Sequence, residues 1–297
     1  MRLLVLAMPG NEAVATAIAG SLAGDVGALE THSFPDGETY LRIGSNVQGR
    51  SVVIVATLAH PDAKFLPLIF AADAARELGA ANVGLVAPYL AYMRQDRRFQ
   101  PGEAVTSRSI ARLISSHFDW LVSVDPHLHR YTSLSEIYSI PTRVLHATPL
   151  MAEWIARNVE KPVLIGPDSE SVQWVSDVAS RTGAPFTVLE KIRHGDRDVE
   201  IRVSDTLRLS GRIPVLVDDI ISSGQTMLQA VRLLKGVSSS PATCIAVHGL
   251  FADRADTLLQ HEGARLVTSN TIPHASNAMD VSPMLADAIS QMAKAKI

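Results

Sequence analysis

Residues 214–226 read Pro-Val-Leu-Val-Asp-Asp-Ile-Ile-Ser-Ser-Gly-Gln-Thr. An apolar run that predicts a strand over 213–217 ends in two adjacent carboxylates, Asp218 and Asp219. A turn of small hydroxyl residues with one glycine follows, and apolar residues then recur at helical spacing. The stretch therefore predicts a strand, an acidic pair, a Ser/Gly/Thr loop and a helix, in that order.

This loop has the hydrogen-bonding groups that a sugar phosphate requires. Backbone N–H groups of such a loop and the positive end of the following helix form a phosphate site, and the hydroxyls of Ser222, Ser223 and Thr226 add donors. Asp218 and Asp219 could accept hydrogen bonds from sugar hydroxyls or help to hold a magnesium ion. An isolated acidic pair would favour a buried strand with a polar turn, but the full order of residues favours a binding site.

Length and composition limit the classes of protein that fit. The 297 residues predict two domains of roughly 150 residues each. Because 47% of residues are hydrophobic and only 19% are charged, a largely disordered chain is excluded. The net charge of −3, without any block of Lys and Arg, does not indicate a nucleic-acid partner.

The chain has neither the signature of a membrane protein nor that of a disulfide-stabilised one. Residues 2–8 resemble the start of a signal peptide, but Pro9, Asn11 and Glu12 interrupt the apolar run, so a first strand is predicted. No apolar run reaches the length needed to span a bilayer. The single cysteine, Cys244, lies in an apolar run and is interpreted as core. We expect a soluble protein of the cytoplasm, without a membrane partner.

Short apolar runs alternate with helical patterns along the whole chain. Strands are predicted at 3–7, 52–57, 83–87, 120–124, 163–165, 186–190, 213–217, 243–247 and 266–269. Helices are predicted near 11–21, 63–79, 106–117, 148–158, 170–182, 224–236, 253–261 and 283–294. This alternation predicts an α/β fold with mainly parallel sheets flanked by helices, whose ligands bind at the carboxyl ends of strands. Pro141 and Pro149 flank a plausible boundary, which gives domains over 1–145 and 146–297.

The segment 34–38, Phe-Pro-Asp-Gly-Glu, follows a predicted short strand that ends at Ser33. Pro-Asp-Gly alone is ordinary turn chemistry. That reading leaves Phe34 and Glu38 unexplained, because an aromatic ring and carboxylates on one tight loop could stack a purine and bond its edge.

The segment 88–98 follows the predicted strand 83–87 and contains three arginines. Guanidinium groups bind phosphate oxygens bidentately, so the cluster around Arg94, Gln95 and Asp96 would suit a polyphosphate. A solvated charge run is the alternative, and the neighbouring tyrosines favour a nucleotide.

Three more segments follow predicted strands. His127 is a candidate metal ligand after the strand 120–124, whereas His129 lacks further ligands at zinc spacing. Asp168 could coordinate magnesium, or could merely flank a helix cap at Ser169. The polar run 189–198 fits either a mobile basic loop that closes over an anionic transition state or a hydrophilic hairpin.

Taken in order, six segments resemble ribose-phosphate pyrophosphokinases, the synthetases of phosphoribosyl pyrophosphate. The segments are 34–38, 92–98, 125–127, 166–168, 191–193 and 217–226. The last of them also resembles the phosphoribosyl-pyrophosphate loop of phosphoribosyltransferases in general. Ser222 and the Asp-Pro-His order at 125–127 look like the archaeal-type branch of the family.

The resemblance implies two tandem phosphoribosyltransferase-type domains and pyrophosphoryl transfer from MgATP to ribose 5-phosphate, with Mg2+ as cofactor and a homo-oligomer as the assembly. It implies ATP binding by Phe34, Asp36, Gly37, Glu38, Arg94, Gln95 and Asp96. It implies metal near His127 and Asp168, and catalysis by Lys191 and Arg193 on a flexible loop. It implies ribose 5-phosphate binding by Asp218, Asp219, Ser222, Ser223, Gly224, Gln225 and Thr226.

The sequence also departs from the best-known branch, whose sugar-phosphate loop reads Asp-Thr-Gly-Gly-Thr. Ser222 replaces a carboxylate, and Gln225 stands where a glycine lets the backbone approach the phosphate. Three alternatives therefore stay open. They are a synthetase-associated regulatory protein without catalysis, a phosphoribosyltransferase that uses a base, and the same transfer to another pentose phosphate.

Overall fold

The structure, a computed structural model, describes residues 2–128, 130–193, 199–202 and 211–294. In chain order its elements are β1 (Leu3–Ala7), α1 (Glu12–Ser21), β2 (Asp25–Gly27), β3 (Leu29–Ser33), β4 (Thr39–Ile43), β5 (Ser51–Val55), α2 (Asp62–Glu77), β6 (Asn82–Ala87), α3 (Thr106–His117), β7 (Trp120–Val124), β8 (Thr142–Leu145), α4 (Thr148–Asn158), β9 (Pro162–Gly166), α5 (Val172–Thr182), β10 (Phe186–Val188), β11 (Glu190–Arg193), β12 (Val199–Arg202), β13 (Ile213–Ile221), α6 (Gln225–Lys235), β14 (Thr243–Gly249), α7 (Ala255–His261), β15 (Arg265–Ser269), β16 (Asn277–Met279) and α8 (Ser282–Lys294). Within the described ranges, no helix has the length and apolar composition needed to cross a membrane.

The chain divides into two compact units. The first unit comprises Met1–Leu145 and Val281–Ile297, and the second comprises His146–Asp280. The first division coincides with the predicted boundary. The prediction assigned α8 to the second domain, however, and this is corrected: α8 packs against α1, β7 and β8 of the first unit, with Leu285 and Ile289 fully buried.

The described part of the first unit contains a six-stranded sheet in the order β2-β1-β5-β6-β7-β8, and every neighbouring pair is parallel. Its central strands are continuous apolar runs, and every residue of β5 and β7 is buried. Such runs are typical of parallel strands that are covered by helices on both faces. The antiparallel hairpin β3–β4 is a separate ribbon.

The second unit repeats this topology. Where the structure describes it, its six-stranded parallel sheet has the order β10-β9-β13-β14-β15-β16, and β11–β12 forms a separate antiparallel ribbon. In the first unit the chain adds β2 on one side of β1 and then β5 on its other side, so the direction in which strands are added reverses between β1 and β5. In the second unit this strand reversal lies between β9 and β13. Ligands of such sheets bind at the carboxyl ends of the strands beside this reversal. The predicted fold class is therefore confirmed, and the fold is duplicated although no sequence repeat is evident.

Five predicted strands differ from the structure by one or two residues at their ends, and two others differ more. The strand predicted to end at residue 217 continues as β13 to Ile221, because Asp218 and Ile220 still pair with Ala246 and His248 of β14. The strand predicted over 186–190 is divided at Leu189 into β10 and β11.

Cys244 lies in the core of the second unit as predicted, and burial raises the pKa of its thiol to about 12.

Candidate functional site

The strand reversal of the second unit brings two of the predicted segments together. Strands β9 and β13 pair in parallel, with Leu164 opposite Val215 and Ile165 opposite Leu216. Their carboxyl ends therefore lie side by side, the first leading to Asp168 and the second to the Ser/Gly/Thr loop. The structure thus places the acidic pair, the loop and Asp168 at one edge of one sheet.

Three carboxylates crowd this edge. Burial raises the pKa of Asp218 well above its usual value, and the negative charges of Asp219 and Asp168 raise it further. The backbone N–H of Asp219 donates to Asp218 Oδ1 at 3.0 Å, which partly offsets these effects. Asp219 is 7% exposed. A set of buried or partly buried, mutually repelling carboxylates is stabilised by hydrogen-bond donors or by a cation.

Asp168 begins a short 3-10 turn over Ser169–Ser171. Its Oδ1 accepts from the backbone N–H of Glu170 at 3.0 Å, and the hydroxyl of Ser171 donates to its carbonyl oxygen at 2.5 Å. Asp168 is therefore the cap itself, not a residue that flanks a cap at Ser169. This bonding holds the Asp168 carboxylate at the start of the turn, and its charge acts on Asp218.

Helix α6 begins inside the loop, at Gln225. Its N-cap is Gly224, which adopts the left-handed conformation with φ 68°, and no side chain caps the first turn. No acidic residue lies in that turn either. The first-turn N–H groups and the positive end of the helix macrodipole are therefore directed at the space next to Ser222 and Ser223, the arrangement that binds phosphate.

Gly224 is required at its position for two reasons. L-residues disfavour φ 68°, and a Cβ at residue 224 would lie 2.7 Å from the Cβ of Ala255 at the start of α7. Gln225, by contrast, is exposed and has no positive φ. The conformational need for glycine in this loop therefore falls on residue 224, and a glutamine at 225 is compatible with the backbone.

We expect Gly224→Ala to lower the free energy of unfolding by about 2–4 kcal/mol, the sum of left-handed strain and overpacking against Ala255. Chemical denaturation measures it. Gly236→Ala is the matched control at the other end of α6, where φ is −76° and the nearest atom to an added Cβ is 3.5 Å away. That control should change stability by no more than about 0.5 kcal/mol. Equal effects of the two substitutions would contradict the role given to Gly224.

The sequence did not indicate the segment 251–254, next to this loop, as part of the site. Phe251, Asp253 and Arg254 adopt left-handed conformations with φ 47°, 55° and 60°. They follow β14 at the same edge of the sheet, and strained backbone concentrates at functional sites. The ring of His274 packs 4.4 Å from that of Phe251, centroid to centroid. The signal that could have found this segment is its place after a buried strand.

In the first unit, the segment 34–38 forms the tip of the hairpin β3–β4, and β3 ends at Ser33 as predicted. The tip is closed by its backbone, with the Phe34 N–H donating to the Glu38 carbonyl at 2.7 Å and the Gly37 N–H to the Phe34 carbonyl at 2.9 Å. The Asp36 carboxylate accepts from the Glu38 N–H at 3.1 Å. The ring of Phe34 is 44% exposed, so it is available to stack on a flat ligand.

The predicted polyphosphate segment is a loop after β6. Arg94 is exposed and Gln95 is half-buried, but Asp96 is only 5% exposed. Both oxygens of the Asp96 carboxylate accept from Arg130 Nη1, at 2.8 and 3.1 Å, and the Tyr131 hydroxyl donates to the Asp96 carbonyl at 3.0 Å. These bonds tie the loop to the segment after β7.

The predicted metal ligand His127 is half-buried in the loop after β7. Asp125, two residues earlier, is 2% exposed and has a left-handed φ of 35°. His127 belongs to the first unit and Asp168 to the second. The structure shows no group of three or more potential metal ligands among the residues it describes.

Lys191 and Arg193 lie on β11, where they pair with Ile201 and Val199 of β12. Of the predicted segment 189–198, residues 190–193 are therefore one strand of an antiparallel pair, the arrangement of the hairpin alternative, and their partner 199–202 lies beyond that segment. Residues 194–198 of the predicted loop lie outside the described residues, as does His129. The ribbon belongs to the second unit, as do the acidic pair and the loop.

Comparison with known proteins matches both units. The chain matches a model of the N-terminal domain of ribose phosphate pyrophosphokinase over residues 3–117, and a model of the phosphoribosyl transferase domain over residues 133–283. The two matches occupy successive parts of the chain, in the order that the six motifs predict.

Relatives match over the full length. The chain is 34% identical to a ribose-phosphate pyrophosphokinase of Methanopyrus kandleri, covering 98% of this chain and 99% of the relative. It is 33% identical to one of Methanothermobacter thermautotrophicus, with 96% and 99% covered. A crystal structure of phosphoribosylpyrophosphate synthetase from Mycobacterium smegmatis superposes with a TM-score of 0.84 at 25% identity, covering 99% of each chain.

Proposed function

Because the chain belongs to the ribose-phosphate pyrophosphokinase family, we propose that it transfers the pyrophosphoryl group of MgATP to the 1-hydroxyl of ribose 5-phosphate. The products are phosphoribosyl pyrophosphate and AMP. The observation that carries the proposal is the uncapped start of α6 next to the acidic pair, where one edge of the second unit offers donors for a phosphate and acceptors for sugar hydroxyls.

Ribose 5-phosphate binds at this edge. Its phosphate accepts hydrogen bonds from the loop and the first turn of α6, that is, from residues Ser222, Ser223, Gly224, Gln225 and Thr226. Its 2- and 3-hydroxyls donate to Asp218 and Asp219, which orients the 1-hydroxyl for attack on the β-phosphorus of ATP. These hydrogen bonds from the sugar agree with the raised pKa of Asp218, because hydroxyl donors stabilise a carboxylate that is crowded by its neighbours.

ATP is bound through two elements of the first unit. The exposed ring of Phe34 stacks on the purine, and Asp36, Gly37 and Glu38 shape the hairpin tip that carries it. Arg94 and Gln95 bind the phosphates. Because the carboxylate of Asp96 is engaged by Arg130, its role in ATP binding is to hold Arg94 and Gln95 in position.

The donor set near Asp168 suits Mg2+, since it consists of carboxylate oxygens that repel one another. Protein sites for Mg2+ use one or two protein ligands together with waters and substrate phosphates. Asp168 in the second unit and His127 in the first unit are each proposed as a ligand for Mg2+. When bound, Mg2+ supplies positive charge to the phosphates of ATP.

The reaction needs positioning and charge stabilisation more than it needs a general base. Negative charge grows on the transferred group and on the leaving AMP. Lys191 and Arg193 on the β11–β12 ribbon neutralise that charge. The protein acts as a homo-oligomer in the cytoplasm, with the 34–38 loop of one subunit reaching into the site of its neighbour.

The test is to incubate the purified protein with MgATP and ribose 5-phosphate and to identify the nucleotide product. We expect AMP together with phosphoribosyl pyrophosphate, and no AMP when ribose replaces ribose 5-phosphate. Formation of ADP would mean transfer of a single phosphoryl group and would overturn the mechanism. Neither product, in a folded sample that binds ATP, would favour a regulatory protein or another pentose phosphate.

A further inference from the structure

The first unit has a cavity of about 280 Å³ at its own strand reversal. Residues that follow β1 and β5 line its floor, the hairpin β3–β4 lines one side, and the first turns of α2 line another. Its polar lining residues include Asn11, Thr31, Ser33, Thr39, Thr57 and Lys64. The cavity therefore occupies the place in the first sheet that the sugar-phosphate loop occupies in the second.

The charge of this cavity is positive. Lys64 lies in the first turn of α2, and none of the described lining residues is acidic. The nearest acidic residue on the helix, Asp62, is hydrogen-bonded to the Tyr92 hydroxyl and is not a lining residue. Lys64 Nζ donates one bond, at 3.0 Å, to the Thr57 carbonyl, which leaves an ammonium group with further donors at the cavity wall. Burial lowers the pKa of Lys64, so an anion next to it would be stabilising.

Helix α2 adds a second polar feature. Pro67 lies inside the helix and lines the cavity, and it has no N–H to donate to the carbonyl of Ala63, which also lines the cavity. Prolines inside helices cost stability, so their presence calls for a reason. The Ala63 carbonyl therefore lacks the helical donor that any other residue at position 67 would supply.

We propose that this cavity is a second binding site of the protein, for a small phosphate-bearing anion held by Lys64 and the neighbouring hydroxyls. It is a binding site without catalysis, because Ala56 and Thr57 follow β5 where its counterpart β13 carries two carboxylates. The proposal does not depend on which reaction the second unit supports.

The test follows Lys64 itself. The full chain is acetylated with an N-hydroxysuccinimide ester, with and without inorganic phosphate at matched ionic strength, and each lysine is quantified by mass spectrometry. By simple occupancy, the rate at Lys64 should fall about fourfold at a phosphate concentration of three times Kd. The exposed Lys161, before β9, is the internal control and should react at an unchanged rate. An equal effect of phosphate on both lysines would overturn the proposal.

Two variants give an independent measurement. In calorimetric titration with inorganic phosphate, Lys64→Gln should bind one phosphate fewer per chain than wild type, and Lys161→Gln should match wild type. Identical stoichiometry in Lys64→Gln and wild type would contradict the site.

A further acetylation experiment, with ribose 5-phosphate in place of inorganic phosphate, identifies the source of the anion. Protection by this sugar phosphate assigns a phosphorylated sugar, protection by inorganic phosphate alone assigns free phosphate, and protection by neither overturns the proposal.

Discussion

Lys191→Ala is expected to lower kcat by about 100- to 1,000-fold, the effect of removing one preorganised group that stabilises transition-state charge. The Kd for ATP, measured without ribose 5-phosphate, should stay within about threefold of wild type, because the charge that Lys191 neutralises develops only during transfer. Steady-state kinetics and calorimetry give the two numbers. Equal losses in turnover and in ATP affinity would remove Lys191 from the transition state.

Two further variants separate charge from structure at this position. Lys191→Arg keeps the positive charge on the β11–β12 ribbon and should retain more activity than Lys191→Ala. Lys161→Ala removes an exposed lysine from the same unit and should leave kcat unchanged. A large loss in Lys161→Ala would mean that lysine removal acts through stability of the unit and not through the reaction.

Asp218→Asn is expected to stabilise the ligand-free protein while it impairs the enzyme. Burial and the charges of Asp219 and Asp168 raise the pKa of Asp218 above its unfolded value. Its contribution to stability is therefore full at pH values below the unfolded pKa and is lost as the pH rises through the raised folded pKa. Removing the charge should raise Tm by about 2 °C at pH 8, a change of order 1 kcal/mol, and by less at pH 4.

The same substitution removes the charged acceptor that we propose for the ribose hydroxyls. Because hydrogen bonds to charged groups contribute about 1.5–3 kcal/mol, kcat/KM for ribose 5-phosphate should fall about 10- to 100-fold. Asp177→Asn on α5 is the matched control for stability. The nearby Thr148 hydroxyl and then Arg181, whose Nε donates to both carboxylate oxygens of Asp177 at 3.2 Å, lower the pKa of Asp177, so that substitution should lower Tm at pH 8. A fall of Tm in both variants would refute the electrostatic account of Asp218.

The parts of the fold that the sequence predicted correctly are those determined by local pattern. The strands 3–7 and 120–124 and the helices 106–117 and 148–158 have the predicted bounds, because buried parallel strands and amphipathic helices have strong periodicity. The predicted end of β13 at residue 217 was wrong, because pairing with β14 overrides the poor strand propensity of two aspartates. The short edge strands β2 and β16 were missed, because three residues carry too little pattern.

The candidate site was predictable as residue types but not as contacts. The order of acidic pair, hydroxyls and glycine indicated a phosphate loop, and the structure assigns the left-handed position to Gly224. The partner of Asp96 could not be foreseen, because Arg130 lies on a different loop and only the fold brings the two together. The strained segment from Phe251 to Arg254 carries no motif, so the sequence offered only its place after a buried strand, and the strain itself is seen in the dihedral angles.

The return of α8 to the first unit makes that unit discontinuous along the chain. All of His146–Asp280 is inserted between β8 and α8, so a ribosome completes the second unit before it supplies the helix that covers α1, β7 and β8. Domains generally fold as units during synthesis. In this protein the inserted unit, with the loop 222–226, can form first. The N-terminal unit keeps part of its apolar surface uncovered until residues 281–294 have been made.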